Sequence, residues 1–245
     1  MSDHNPNPAA RYGATAARDR VAVDEGLRSY MFGVYNYMTF GLAITGAVAL
    51  GTYLLSTQSP AFAQAIYGSP LRWVIIFAPL ALVFFLSFRI ETLSVGAAQG
   101  LFWAYAALMG LSLSVIFLVF TGESITRVLF ITAASFGALS LYGYTTKRDL
   151  SAFGTFLFMG LIGIIIASLV NIWLASSMLQ WIVSIIGVGV FAGLTAYDTQ
   201  QIKEMYYAGD DATTAGRKSV MGALRLYLDF INMFMMLLQL FGNRE

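Results

Sequence analysis

The sequence predicts an all-α integral membrane protein with seven transmembrane helices, and three observations carry that prediction. The 245-residue chain is 58% hydrophobic and only 11% charged, with a mean hydropathy of +0.71, a composition foreign to a soluble globular domain. Seven apolar runs approach the roughly 20 residues that a helix needs to cross the hydrocarbon core of a bilayer. The breaks between them carry turn and charge chemistry.

Before the first run, residues 1–27 are polar, mixed in charge and rich in Ala, Asn and Arg. Such a composition buries too little apolar surface to order itself, so a disordered cytoplasmic tail is expected, with the transmembrane domain occupying residues 28–245. The first apolar run starts near Tyr30 and is too long for the h-region of a signal peptide, so this helix is expected to stay in the mature chain.

The expected spans are Tyr30–Leu55, Leu71–Phe88, Ala97–Phe120, Ile125–Tyr144, Phe153–Leu174, Leu179–Tyr197 and Val220–Phe241. Two prolines interrupt Ser56 to Pro70, and the other short breaks fall at Arg89-Ile90-Glu91-Thr92, Thr121-Gly122-Glu123-Ser124, Lys147-Arg148-Asp149 and Ala175-Ser176-Ser177. A longer polar stretch, Lys203 to Ser219, precedes the last span. Asp149 and Ser151 suit the N-cap of the fifth helix, and Pro79 implies a kink in the second. Gly96 with Gly100, and Gly189 with Gly193, have the four-residue spacing of close helix packing.

Lys and Arg set the orientation. Arg11, Arg18, Arg20, Arg28, Arg89, Lys147, Arg148, Lys203, Arg217, Lys218 and Arg225 fall on one side, against Arg72, Arg127 and Arg244 on the other. The expected topology is a multi-pass inner-membrane protein with its N-terminus in the cytoplasm and its C-terminus outside.

Absences narrow the chemistry. With no cysteine there is no thiolate nucleophile or zinc–sulfur site, and the one histidine, His4, lies in the polar tail. No basic run interleaved with aromatics suggests nucleic-acid binding. We expect neither an enzyme nor a cofactor. An intramembrane aspartyl protease would need a Gly-x-Gly-Asp motif, but Asp229 follows Leu226-Tyr227-Leu228. A retinal protein would need a lysine in a span, and Lys147, Lys203 and Lys218 are all in loops.

The candidate site is a pair of acids. Asp229 sits inside the last apolar run, where a charge costs roughly 2.5–3.5 kcal/mol on insertion scales. Asp198 closes the preceding run, and a connection of about twenty residues lets the two helices lie antiparallel as neighbours. If the carboxylates meet, a low dielectric disfavours ionising both, so they titrate as a coupled pair. Loss of the shared proton leaves two anions that repel or hold a hard cation such as calcium. Two blander readings stand beside this one: an Arg225–Asp229 ion pair within one helix, and an Asp198 wetted at its helix end. Arg89, Arg225 and Asn232 are supporting candidates. Asn36, Gln99 and Asn171 read as interhelical hydrogen bonds.

Three motifs, Tyr142-Gly143-Tyr144-Thr145-Thr146-Lys147-Arg148-Asp149-Leu150, Ala196-Tyr197-Asp198-Thr199-Gln200-Gln201-Ile202 and Leu226-Tyr227-Leu228-Asp229-Phe230-Ile231-Asn232, resemble the bacterial branch of the Bax inhibitor-1 (transmembrane Bax inhibitor motif) family. The likeness covers about Arg28 to Phe241. It implies six helices wrapped around a central seventh, and a pH-sensitive calcium leak latched by paired aspartates, matching Asp198 and Asp229, with an arginine closing the second helix, matching Arg89. Some bacterial relatives carry an acid within that helix, whereas Ile75 to Phe88 has none. Other relatives are described as modulators of a membrane-bound AAA protease, a role that residues 1–27 would serve as an exposed segment. The expected partners are therefore a cation, the lipid bilayer and, in the alternative, such a protease.

Overall fold

The computed structural model describes residues 8–244, with side chains from residue 24 onward. Among these residues seven helices are long and apolar enough to cross a membrane: α1 (Pro8–Gln58), α2 (Leu71–Arg89), α3 (Val95–Leu113), α4 (Gly122–Thr145), α5 (Ser151–Leu174), α6 (Ser177–Glu204) and α7 (Ala212–Phe241). Each expected span falls within one of them, except that the third finishes as a 3-10 turn, Ser114–Leu118.

The structure differs from the composition argument at the N-terminus, where α1 begins at Pro8. Its early residues include Ala9, Ala10, Ala14, Ala16 and Ala17. Alanine is the best helix former, and extending an existing helix requires no new nucleus. Residues 1–7 of the expected tail lie outside the described residues.

Side-chain oxygens start most of the helices. Ser94, Thr121 and Ser176 accept from Ala97, Ser124 and Leu179 at 3.2, 3.3 and 3.2 Å, and Asp211 accepts from both Thr213 and Thr214. Each satisfies an N–H that the helix itself leaves free. On α5 the cap position belongs to Leu150, which offers no side-chain acceptor. Asp149 instead accepts from the Ser151 N–H at 2.8 Å, one residue out from the expected cap.

Pro79 lies inside α2 and has no N–H to give the carbonyl of Ile75. In a bilayer that carbonyl has no water to turn to. Ser112 of α3 donates to it at 2.5 Å, so the neighbouring helix closes the gap that proline opens.

α7 is the enclosed helix: 67% of its most apolar window is buried, against 17–39% for the other six. Helices α1, α3, α4 and α6 pack directly on it, while Phe84 of α2 and the inner face of α5 meet it across a cavity. Six helices thus surround a central C-terminal one. Its far end is tied down, because Thr121 donates to the Asn243 carbonyl at 3.0 Å, and the Asn243 N–H to Ser124 at 2.9 Å.

The glycines that permit close approach are not those expected from spacing. A Cβ at Gly96, Gly100 or Gly189 would meet nothing within 4 Å, although one at Gly193 would press on Leu157. The tight crossings occur at Gly110, where a Cβ would stand 2.5 Å from the Thr45 carbonyl, and at Gly143, which abuts the Ala196 carbonyl directly. Backbone cannot yield as a flexible side chain can. Gly143→Ala is therefore expected to cost on the order of 1–3 kcal/mol by overpacking, seen as a lowered unfolding midpoint in detergent, while Gly96→Ala leaves the midpoint unchanged.

Candidate functional site

The site begins with how α7 is rotated about its axis. Tyr227 is wholly buried, edge-on to Phe102 and Tyr105 at centroid distances of 5.8 and 5.5 Å. Its hydroxyl meets Thr45 Oγ1 at 2.7 Å, and the one hydroxyl proton of that threonine lies within reach of the carbonyls of both Ala106 and Gly41. One tyrosine thereby clamps α7 to α1 and α3. At 3.6 residues per turn Asp229 lies about 200° further round, and it lines the cavity on the other side of the helix.

That cavity, of about 1040 Å³, lies between α2, α5, α6 and α7. Asp198, Arg225, Asp229 and Asn232 all line it. Asp198 of α6 and Asp229 of α7 thus bring two carboxyl groups into one cavity. Asp229 is only 4% exposed, and its Oδ2 is buried with no hydrogen-bond partner. Asp198 is half-buried, so the reading of a fully wetted acid at a helix end does not describe it.

The alternative reading, an Arg225–Asp229 ion pair, does not hold: among the described residues the one salt bridge joins Lys218 to Asp210. Arg225 is exposed and lines the same cavity as both acids. Asn232 donates back to the Leu228 carbonyl at 2.8 Å. Arg89 ends α2 as expected, but it is exposed and is not among the residues lining the cavity. The structure thus brings Asp198, Asp229, Arg225 and Asn232 together and leaves Arg89 apart.

Register on α6 is fixed by neighbours of Asp198. Thr199 meets Ser140 of α4 at 2.9 Å, and Ser140 meets the Tyr35 hydroxyl of α1 at 2.5 Å. Gln200 accepts from the Leu150 N–H at 2.9 Å and donates to the Arg148 carbonyl at 2.8 Å. Lys203 donates to the Tyr144 carbonyl at 2.8 Å and stands 5.2 Å over the Tyr144 ring. These contacts stitch the α4–α5 connection to the end of α6, and sequence reasoning missed them. The available signal was the polar residues Gln200, within the same motif as Asp198, and Lys203, the residue that follows it.

The acids outside the spans are set differently. The Ser151 backbone N–H holds the Asp149 carboxyl below its ordinary range, and hydrogen bonding to Thr214 does the same for Asp211. Both are exposed. A depressed carboxyl keeps its stabilising charge until pH falls through the lowered value, so neither acid titrates near neutrality.

The donor set suits hard cations, which take six to eight oxygen ligands. Among the described residues no cluster of three or more His, Cys, Asp or Glu side chains forms. Two carboxylates supply at most four of those oxygens, and water in the cavity would have to supply the rest.

Comparison with known proteins matches a family model described as inhibitor of apoptosis-promoting Bax1 to residues 27–245. The inner membrane protein YbhL of Escherichia coli K12 is 52% identical over 223 residues, covering 90% of this chain and 94% of that protein. A Rickettsia prowazekii protein, RP147, is 49% identical over 224 residues, covering 91% and 92% of the two chains. One from Caulobacter vibrioides is 43% identical along the full length of both.

Removing the Gln200 amide should loosen the stitched connection. Gln200→Leu strands a buried N–H and a carbonyl, at about 1–3 kcal/mol. Hydrogen exchange should accelerate at Leu150 and its neighbours while the middle of α4 stays protected.

Proposed function

The chain belongs to the Bax inhibitor-1 family, and from that premise we propose that it is a cation leak of the bacterial inner membrane, with calcium as cargo and the Asp198–Asp229 pair as its pH-sensing latch. It acts without enzymatic chemistry. The observation that carries this reading is the buried Asp229 Oδ2, unpartnered and facing a second carboxyl in a cavity.

A carboxylate oxygen taken out of water without a donor is costly. One proton shared between the acids supplies that donor and ties α6 to α7. Its loss leaves two anions side by side, which push the helices apart or draw a cation between them. Either event makes the arrangement of α6 and α7 depend on pH, because a proton shifts an equilibrium by its differential affinity for the two states. Arg225, in the same cavity, tempers the repulsion, and Asn232 adds an amide to the wall. The inner-membrane assignment follows the name of the E. coli relative, and the cytoplasmic N-terminus follows the Lys and Arg asymmetry.

Calcium flux into liposomes holding the purified protein should change across pH 5 to 8. A tenfold change corresponds to about 1.4 kcal/mol of differential protonation free energy. Asp198→Asn and Asp229→Asn should leave the protein folded and flatten this dependence. Flux no greater than that of empty liposomes at every pH in that range overturns the proposal.

Reporter fusions should place Met1 inside and Glu245 outside. Deleting residues 1–27 should leave flux intact. Loss of coupling to a membrane-bound AAA protease, with no wild-type flux to begin with, would transfer the role to the tail.

A further inference from the structure

Asp198 lies near the C-terminal end of α6 and Asp229 near the middle of α7, so a leak also needs a route to the α5–α6 end of the bundle, where the sequence supplies few charges. The structure holds a second cavity there, of about 420 Å³, near the α5–α6 turn. Three side-chain amides line it, Asn171, Gln180 and Gln239, one each from α5, α6 and α7. Ser168, Ile172 and Met236 line both this cavity and the carboxylate cavity. The two spaces are thus consecutive along one seam.

Two of the amides, Asn171 and Gln239, are held in place. Ser184 of α6, itself buried, lies 2.9 Å from Gln239 Oε1 and 2.8 Å from the Gln180 backbone carbonyl, so its one hydroxyl proton is shared between them. That turns Gln239 toward the α6–α7 seam. Asn171 Oδ1 accepts from the Ser176 N–H at 2.9 Å. Each amide oxygen has a second lone pair, so the cavity offers neutral oxygen acceptors, which suit a cation that keeps part of its water.

Ser168, Ile172 and Met236 stand where the two cavities meet, and Met236 is seated on Gly187. A Cβ at Gly187 would come within 2.9 Å of Met236 Cγ and Sδ. Methionine is unbranched and adaptable, and at a neck joining two wettable spaces an apolar side chain closes the water column by dewetting.

We infer that the seam between α5, α6 and α7 is a two-chamber cation path, with an uncharged amide vestibule of Asn171, Gln180 and Gln239 closed off from the carboxylate chamber by a Met236 gate. The inference rests on the leak reading of the same seam. It adds the second chamber, the class of ligand it offers and the residue that separates the chambers.

The absence of native cysteine allows a test that does not require flux. In membrane vesicles of both orientations, Gln180→Cys and Gln239→Cys should react with an impermeant methanethiosulfonate from the α5–α6 turn side. They should do so roughly tenfold or more faster than Phe130→Cys, a lipid-facing control 72% exposed on α4, because the thiolate forms only where water reaches. Asn232→Cys should react only from the other side. Adding Met236→Ala should open Asn232→Cys to both sides and raise cation flux severalfold. Gly187→Ala should do the reverse, displacing the flexible methionine into the neck without disturbing backbone.

Vestibule cysteines as silent as Phe130→Cys overturn the inference, as does sidedness at Asn232→Cys that Met236→Ala leaves unchanged. Reactive vestibule cysteines in a protein that passes no calcium would sink the leak reading while leaving the two chambers standing.

Discussion

A carboxylate oxygen buried without a donor is the constraint on which the rest of this structure depends. Asp229 Oδ2 has neither a hydrogen-bond partner nor access to the aqueous phase, and such a group destabilises any arrangement that fails to answer it. The nearby answers are the Asp198 carboxyl, the solvent volume of the cavity and, further off, the Arg225 guanidinium. A lone aspartate in lipid would drive its helix out of the bilayer or rotate it. Here the helix cannot rotate, because Tyr227 locks its opposite face against Thr45, Phe102 and Tyr105. The strain is held by packing on the other side of the same helix.

The same division runs through the bundle. On the α1, α3 and α4 side, polar contacts are short and shared: Thr45 lies against three oxygens, and Ser140 bridges Tyr35 and Thr199. Backbones there approach closely enough that Gly110 and Gly143 admit no side chain. On the α2 and α5 side stands a cavity. Interhelical hydrogen bonds in membranes contribute on the order of 0.6 kcal/mol each, so it is their concentration on one side, together with close packing, that makes that side rigid.

The seven spans were legible in the sequence because length and hydropathy are local properties, and the adjacency of α6 and α7 followed from their short connection. The pairing of Asp198 with Asp229 was legible for the same reason, since a charge in an apolar run demands a partner and few candidates exist. Arg89 was read through the family resemblance, and in this structure it lies outside the cavity, because a residue ending a peripheral helix turns outward as readily as inward. The glycine spacing misled for a related reason: Gly96 and Gly100 share a face, but which face meets a neighbour is decided by every other side chain on α3. Gln200, Lys203 and Tyr227 act through partners fifty or more residues away. No local pattern encodes such contacts.

The uneven burial also says which elements can respond to the pair. Only 17% of the most apolar window is buried in α2 and in α5, the lowest values of the seven, and these two helices face α7 across the cavity rather than packing on it directly. Segments with few buried contacts open at the low end of the stability scale. A change of charge at Asp198 and Asp229 therefore meets least resistance on that side, while the Tyr227 clamp and the Gln200 and Lys203 stitches hold the far wall still. The serine-bridged proline of α2 fits the same arrangement: with Ser112 satisfying the Ile75 carbonyl, α2 stays tied to α3 near its Leu71 end, so its freedom lies toward the Arg89 end, the part that carries Phe84 at the cavity.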